Sequence, residues 1–172
     1  MNLFVFYLGG RIPGCKIELH DVAFCVADKV EDCYESVKKQ WVGELKGLHL
    51  DAYAVLNYAD GYNISVTDQK DGVQASECHD KQLFFVNLGG YDTSRFTEIH
   101  KTGFYVAATV QEAKKKAKES IEQALKVLHT DDVIEVDDCL SINEYLNDYR
   151  LCLTPSKTVN ATEFICGYHL VP

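Results

Sequence analysis

Two stretches of the chain, residues 3–26 and 83–106, carry the same order of apolar and polar positions. Each starts with a nearly continuous apolar run that ends in Leu-Gly-Gly, passes through a polar loop and returns to apolar positions after a Glu-x-His sequence. A short apolar run ended by glycines is typical of a buried strand with a sharp exit. Because the two stretches align without a gap, with Gly9 matching Gly89 and His20 matching His100, we predict an internal duplication.

A helix and two further strands are predicted after the first repeated stretch. Residues 29–41 place apolar side chains three and four positions apart, which is the spacing of an amphipathic helix. Residues 48–57 alternate between apolar and polar, and the hairpin-turn sequence Asp60-Gly61 then leads into a returning strand at residues 62–66. Residues 68–81 are polar and contain glycine, so we predict a loop that links the two halves.

The second half repeats this order with a longer helix. Thr109 and Glu112 form a capping-box pair, and apolar residues then recur at helical spacing over residues 110–128. The elements predicted after the helix are strands at residues 133–136, 150–153 and 163–169 and, at residues 140–145, either a strand or a short helix.

The sequence therefore predicts an α+β protein made of two tandem ββαββ modules, residues 1–80 and 81–172. Each helix has one apolar stripe, which has to pack on one face of an antiparallel or mixed sheet. The two modules either lie side by side as similar lobes or form one compact unit about a pseudo-twofold axis.

Charge and composition narrow the class of protein. The 172 residues carry a net charge of −9, which opposes binding to nucleic acid or to an anionic membrane surface, since both need a basic footprint. No apolar stretch approaches the ~20 residues of a membrane span. The seven cysteines are odd in number and include no Cys-x-x-Cys pair, which favours neither a disulfide framework nor a zinc site and suits a reducing compartment. We therefore predict a cytoplasmic protein that binds neither nucleic acid nor membranes.

The paired Glu-x-His sequences are the main candidates for chemistry. Most other positions shared by the repeats are apolar residues and glycines that each module needs in order to fold, so we interpret them as scaffold. In an extended strand, residues two apart point to the same side, so Glu18 lies beside His20 and Glu98 beside His100. Such a pair can act as general acid and base, supply metal ligands or form a hydrogen-bonded clip between loop and sheet. The clip is the simplest of these three interpretations. We take these four as candidate catalytic residues and assign no metal and no cofactor.

Loop residues that differ between the repeats are candidates for binding a ligand. Arg11 and Lys16 flank a glycine-rich turn and could hold a small anion, although the chain has no phosphate-binding glycine motif. Asp21 extends the first copy to Glu-x-His-Asp, where the second copy has Lys101, and Arg95 belongs to the second loop. These five residues are the predicted ligand-binding set.

Two nearby residues are interpreted as structural. Cys15 lies close to His20 in sequence, but nothing orients the two as a nucleophile and base, so a free thiol is expected. His49 lies within an apolar strand and is expected to be a hydrogen-bonded core histidine.

Several sequence segments together resemble a known family. The first half contains Gly9-Gly10, the Glu-Leu-His-Asp sequence and a Leu-His-Leu-Asp sequence at residues 48–51, and the second half contains Leu-Gly-Gly-Tyr-Asp followed by Glu-x-His-Lys. In these segments the chain resembles the bacterial DUF1543 family, in which the domain occurs in one or two copies. The resemblance implies a bacterial, cytoplasmic protein with two copies of the domain, and it implies no activity.

Two functions of different classes remain open. The first is a binding or interaction protein without an assignable catalytic activity, for which self-association into a homodimer is one form. The second is a small acid/base or metal-assisted enzyme that uses Glu18, His20 and Asp21, with Glu98 and His100 opposite. The partner is not identified by the sequence, and whether the protein is an enzyme is left open.

Overall fold

The computed structural model describes residues 1–69, 80–91, 94–125 and 134–172. Most of the predicted linker at residues 68–81 and the end of the predicted second helix lie outside these ranges. The elements are β1 (Asn2–Gly10), β2 (Leu19–Ala27), α1 (Tyr34–Gln40), β3 (His49–Val55), β4 (Tyr58–Ala59), β5 (Tyr62–Asp68), β6 (Gln82–Gly90), β7 (Ile99–Ala107), α2 (Val110–Leu125), β8 (Ile134–Ser141), β9 (Tyr149–Pro155) and β10 (Ile165–Leu170), with 3-10 helices at Val30–Cys33 and Ile142–Tyr145.

The first sheet is antiparallel and has the strand order β10-β3-β1-β2. Strand β1 is apolar along nearly its whole length because both of its faces are covered. Phe4, Phe6 and Leu8 pack beneath α1, whereas Leu3 and Val5 point to the opposite face and join a cluster at the centre of the molecule. A strand buried on both faces produces a continuous apolar run rather than an alternating one.

The second sheet, with the order β7-β6-β8, has the same pairing as the corresponding strands of the first. Gly9 pairs with His20 between β1 and β2, and Gly89 pairs with His100 between β6 and β7. Helix α2 covers the outer face of this sheet through Ala113 and Ala117. Half of the predicted capping box is present, because the Thr109 hydroxyl accepts the Glu112 backbone N–H at 3.2 Å. The Glu112 carboxylate accepts the N–H of Ala108, one residue before Thr109, at 2.9 Å.

A third sheet, β4-β5-β9, contains strands from both halves of the sequence. Strands β5 and β9 pair antiparallel about Ser65 and Cys152. The predicted Asp60-Gly61 turn is confirmed: both residues have positive φ, 47° and 83°, and they connect β4 to β5.

The inner faces of the first two sheets share one apolar core. This cluster includes Leu3 and Phe24 from the first sheet, Leu83 and Phe85 from the second, and Leu153 from the third. The layers are therefore helix, sheet, sheet and helix, with strands of both sequence halves packed at the centre.

The fold confirms an α+β class in which strands predominate, but several boundaries differ from the predictions. The helix predicted over residues 29–41 is a 3-10 turn followed by the two-turn helix Tyr34–Gln40. Residues 140–145 satisfy both alternatives, since β8 ends at Ser141 and a 3-10 helix follows. Strand β10 leaves the second half and pairs with β3 of the first sheet, which the sequence pattern did not predict.

The cysteines and helices bear on the remaining predictions. Cys152 is disulfide-bonded, a bond that the cysteine spacing did not predict. The free cysteines among the described residues are Cys15, Cys25, Cys33, Cys139 and Cys166. In the described part of the chain, no helix combines the length and the apolar character needed to cross a membrane.

Candidate metal-binding site

Glu18 and His20 lie where the chain enters β2, on the inner side of the first sheet. His20 pairs with Gly9 across the strands, and cross-strand partners place their side chains on the same face. The next pair, Leu8 and Asp21, points to the opposite face, where Leu8 is buried beneath α1. The face of the sheet on which His20 lies also holds the residues of the central core, further along the strands.

A β-bulge brings Asp51 into contact with this pair. Tyr7 pairs with Ala52 and Leu8 with Leu50, so Asp51 is an extra residue in β3 with no partner in β1. A bulge of this kind turns a side chain away from its regular alternation. The Asp51 Oδ2 atom lies 3.2 Å from His20 Nε2, and Glu18 Oε1 lies 3.6 Å from the same nitrogen. Three potential ligand atoms therefore converge within 4.8 Å of one another.

His49 adds a second imidazole to the cluster. Its side chain is only 1% exposed, and its Nδ1 atom lies 2.8 Å from the carbonyl oxygen of Gly47. A carbonyl can only accept a hydrogen bond, so Nδ1 donates and the lone pair of neutral His49 is on Nε2. That nitrogen lies 3.4 Å from Glu18 Oε1 and 3.4 Å from Asp51 Oδ1.

One oxygen of the cluster is buried without a hydrogen-bond partner. Asp51 Oδ2 is inaccessible to water and has no partner of hydrogen-bonding geometry, although His20 Nε2 is 3.2 Å away. An unsatisfied buried carboxylate oxygen is costly unless a cation lies beside it. The cluster thus has the donor atoms of a cation site, one of which lacks a hydrogen-bond partner.

Gly9 makes the close approach of these side chains to the sheet possible. A Cβ atom on Gly9 would lie 2.5 Å from His49 Nε2 and 2.9 Å from Asp51 Oδ2, which is closer than side-chain atoms come. Any residue larger than glycine would therefore push the ring and the carboxylate away. The first glycine of the repeated Gly-Gly sequence makes room for the cluster, in addition to ending the apolar run.

The second half of the chain builds a corresponding cluster from Glu98, His100 and Asp137. Asn87 pairs with Asp138 and Leu88 with Val136, so Asp137 is the extra residue of a bulge in β8. His100 Nε2 lies 3.3 Å from Glu98 Oε2 and 3.6 Å from Asp137 Oδ2. A Cβ atom on Gly89 would meet both carboxylates at 2.4–2.5 Å.

The two clusters differ in what surrounds them. The register places Glu135 opposite Gly89, where His49 lies opposite Gly9, so the second cluster has one histidine instead of two. Tyr91 hydrogen-bonds to Glu98, and this bond, together with the nearby carboxylates, raises the pKa of the Tyr91 phenol. Among the described residues, three side chains offer ligands to the second cluster.

An aromatic ring stacks on each histidine of the first cluster. The His49 ring stacks on Tyr168 of β10, with centroids 4.0 Å apart, and the His20 ring stacks on Tyr7 at 5.3 Å. Burial, and then the negative charge of Asp51, raises the pKa of the Tyr7 phenol. Among the described strands, β10 lies beside β3 at the edge of the first sheet, so this cover belongs to the first cluster.

The four predicted catalytic residues therefore belong to two clusters, whereas the predicted ligand-binding residues lie elsewhere. Asp21 is exposed on the helix side of β2, where its carboxylate accepts the Val22 N–H at 2.7 Å. Lys101 pairs with Leu88, which packs beneath α2, and so points away from His100. Arg11, Lys16 and Arg95 are exposed loop residues that contribute no ligand atom to either cluster.

Asp51, Asp137 and His49 were missed as site residues. Asp51 and His49 belong to a sequence that reads as an ordinary alternating strand, in which an exposed carboxylate needs no explanation. The available signal was the Leu-His-Leu-Asp segment, which formed part of the family resemblance. The prediction of a core histidine at His49 is confirmed for its burial, while its second nitrogen points into the cluster.

The spacing of the donor atoms fits a small divalent ion. For Zn²⁺ with bonds of about 2.0–2.1 Å, ligand atoms of a tetrahedron lie about 3.3–3.4 Å apart. The four imidazole–carboxylate distances in the first cluster are 3.2, 3.4, 3.4 and 3.6 Å. These imidazole–carboxylate spacings suit a small divalent ion, and the ligand atoms of Glu18, His20 and Asp51 all lie within 4.8 Å of one another.

The fold and these clusters define an α+β protein with two Glu-x-His sites, each completed by a bulged aspartate. The model of DUF1543, a domain of unknown function, matches residues 15–66 and 95–153, which is more than half of the chain. The chain therefore belongs to the DUF1543 family, and both clusters lie within the matched segments.

A solved structure has the same overall fold. The crystal structure of a protein Il1583 from Idiomarina loihiensis is similar with a TM-score of 0.71 and 29% sequence identity, over 99% of this chain and 98% of that one. A search of the curated proteins finds no match.

Proposed function

We propose that the protein binds a divalent transition-metal ion, with Zn²⁺ the best fit, at the cluster of Glu18, His20, His49 and Asp51. The observation that carries the proposal is that the His20 and His49 imidazoles both lie 3.2–3.6 Å from the carboxylates of Glu18 and Asp51, beside a buried Asp51 oxygen that lacks a hydrogen-bond partner. A hydrogen-bonded clip would instead direct N–H donors at the carboxylates. In the neutral tautomer that donates from Nδ1 to Gly47, the Nε2 atom of His49 offers a lone pair.

The donor set favours zinc over the harder ions. Calcium and magnesium prefer an all-oxygen shell of six or more ligands, whereas imidazole nitrogen with carboxylate oxygen suits zinc and its neighbours in the first transition row. The bond from His49 Nδ1 to a backbone carbonyl is the usual arrangement around a metal-bound histidine, because it fixes the ring and the tautomer.

We propose that the second cluster binds the same kind of ion with an open coordination position. Its three described side chains, Glu98, His100 and Asp137, match the number of protein ligands found in zinc sites that also bind water or a substrate. The first cluster, with four protein ligands and the Tyr168 ring stacked on His49, would be closed in comparison.

We infer that the two clusters arose with the two repeats, as tandem modules of strand, strand, helix, strand, strand. The common register, the bulged aspartates and the glycines that make room for them support this inference. It explains why Glu-x-His persists in both halves: each module carries its own site. Metal binding is also a specific form of the binding function expected from the sequence, and the alternative of a metal-assisted enzyme would belong to the second, open site.

Zinc titration of the chelator-treated full chain, followed by calorimetry, tests the proposal. We expect Zn²⁺ to bind at two sites per chain, and Asp51→Asn and Asp137→Asn each to remove one. Asp21→Asn is the matched control, because it makes the same change to an exposed carboxylate on the other face of the sheet. The absence of binding, or equal losses from Asp51→Asn and Asp21→Asn, would refute the proposal.

A further inference from the structure

A cleft of about 650 Å³ lies between the inner face of the first sheet and strand β7. This volume is within the range of about 300–1,000 Å³ that is usual for small-molecule sites. Its walls are mainly aromatic and aliphatic, and include Phe24, Phe85, Phe104 and Phe164. Phe164 is half exposed, so one side of the cleft opens to solvent.

His100 belongs both to this cleft and to the second cluster. It occupies β7 with Thr102 and Phe104, and alternate residues of a strand point to the same face. The face that starts at the metal ligand therefore continues as the wall of the cleft. The His100 side chain is 48% exposed and is the member of this cluster that lines the cleft.

The opposite wall adjoins the first cluster. Tyr7 lines the cleft and stacks on His20, and Ala52 lines it directly after the bulged Asp51. The two halves of the protein thus contribute facing walls to a single cleft, with a cluster of potential metal ligands next to each wall.

We propose that the cleft binds a neutral, apolar small molecule that carries a carbonyl oxygen, and that this oxygen occupies the open position of the ion at Glu98, His100 and Asp137. The inference rests on the proposed metal site. The lining residues described here include no lysine or arginine, so no protein cation can balance a charged head group.

Charge selects a neutral donor over a carboxylate. Glu98 and Asp137 already balance the two positive charges of the ion, and His100 is neutral when it acts as a ligand. Glu135 adds further negative potential, since it acts with Asp137 on the Tyr91 phenol. An anionic ligand would therefore enter a site of excess negative charge, whereas a carbonyl would be polarised without that repulsion.

Three naphthalenes of nearly equal size test this proposal with the zinc-loaded full chain. 2-Acetylnaphthalene has a carbonyl, 2-ethylnaphthalene lacks it, and 2-naphthoate is charged. We expect 2-acetylnaphthalene to bind about tenfold or more tightly than either of the others, and chelation of zinc to remove that preference. His100→Ala should abolish the preference in the same way.

Variants that fill the cleft separate its binding from the metal site. Thr102→Phe and Thr162→Phe place a ring among the lining residues, so each should weaken binding of all three naphthalenes while two zinc ions still bind per chain. Two results would overturn the inference: zinc binding without any preference for the carbonyl compound, or tight binding that both cleft variants leave unchanged.

In either case the zinc titration would still support the proposed metal function. If no zinc binds, the proposed function and the carbonyl preference fail together, whereas naphthalene binding alone would show only an apolar cleft.

Discussion

Substitution of Gly9 by alanine is expected to disable the first metal site through steric contact alone. Gly9 does not have the positive φ that favours glycine, so alanine can adopt its backbone conformation. The added Cβ would lie 2.5 Å from His49 Nε2, whereas ordinary contacts are about 3.5 Å, so the ring would have to retreat by about 1 Å. His49 is buried and tied to Gly47, so the strain cannot be released toward solvent.

The magnitude follows from two separate effects. Forcing a methyl group into a packed site costs about 1–3 kcal/mol of unfolding free energy, and this loss should appear in chelator. A shift of about 1 Å would lengthen a Zn–N bond of about 2.0–2.1 Å beyond bonding distance, so the ligand is lost. At a free zinc concentration of 100 times the dissociation constant, the wild-type site should add about 2.7 kcal/mol of stability, and Gly9→Ala should lose this gain at the first site.

Denaturant unfolding with chelator and with zinc, together with calorimetric titration, measures both effects. Gly89→Ala is the matched control, because its Cβ would strike the carboxylates of the second cluster and leave the first intact. We expect Gly9→Ala to keep only the second zinc site and Gly89→Ala to keep only the first. Wild-type zinc affinity at both sites in Gly9→Ala would show that His49 and Asp51 are not ligands, and would refute the reasoning.

Three further predictions concern single residues. In chelator, Asp51→Asn should leave unfolding free energy within about 0.5 kcal/mol of wild type or raise it, because it relieves repulsion from Glu18; a loss above about 2 kcal/mol in denaturant unfolding would instead indicate a hydrogen-bonded clip. Tyr168→Ala should weaken zinc binding at the first site and lower unfolding free energy by about 0.5–1.5 kcal/mol, since its ring stacks on His49, whereas Tyr168→Phe should match wild type in the same titration. Asp60 accepts hydrogen bonds from the Val106 N–H at 2.9 Å and from Lys116 Nζ at 2.8 Å, so Asp60→Ala should lower the unfolding free energy by about 2–3 kcal/mol. Asp60→Asn should lower it by about half as much, because asparagine tolerates positive φ. Equal losses in denaturant unfolding would show that the positive-φ turn contributes nothing.

The strands and the repeated pairing could be predicted because they depend on local pattern. Apolar runs ended by Gly-Gly predicted β1 and β6, and Asp60-Gly61 predicted the hairpin between β4 and β5. The position of β10 could not be predicted, since its pairing with β3 depends on an open sheet edge that forms only in the folded molecule. The first α-helix was predicted to start too early, because spacing alone does not distinguish a short 3-10 turn from an α-helix.

The candidate site was predicted in part, because only some of its contacts depend on local strand geometry. Glu18 and His20 are two residues apart in one strand, so their proximity follows from strand geometry. Asp51 comes from another strand and reaches the pair only through a bulge, which is a property of the pairing between β1 and β3. Asp21, which directly follows His20 in the sequence, points to the other face for the same geometric reason.

An anomalous diffraction measurement at the zinc absorption edge, on crystals of the zinc-loaded protein, tests the metal site most directly. We expect a peak between Glu18, His20, His49 and Asp51, with ligand atoms about 2.0–2.2 Å from its centre, and a second peak beside Glu98, His100 and Asp137. A map without a peak at either cluster, from crystals that contain bound zinc elsewhere, would contradict the assignment of both sites.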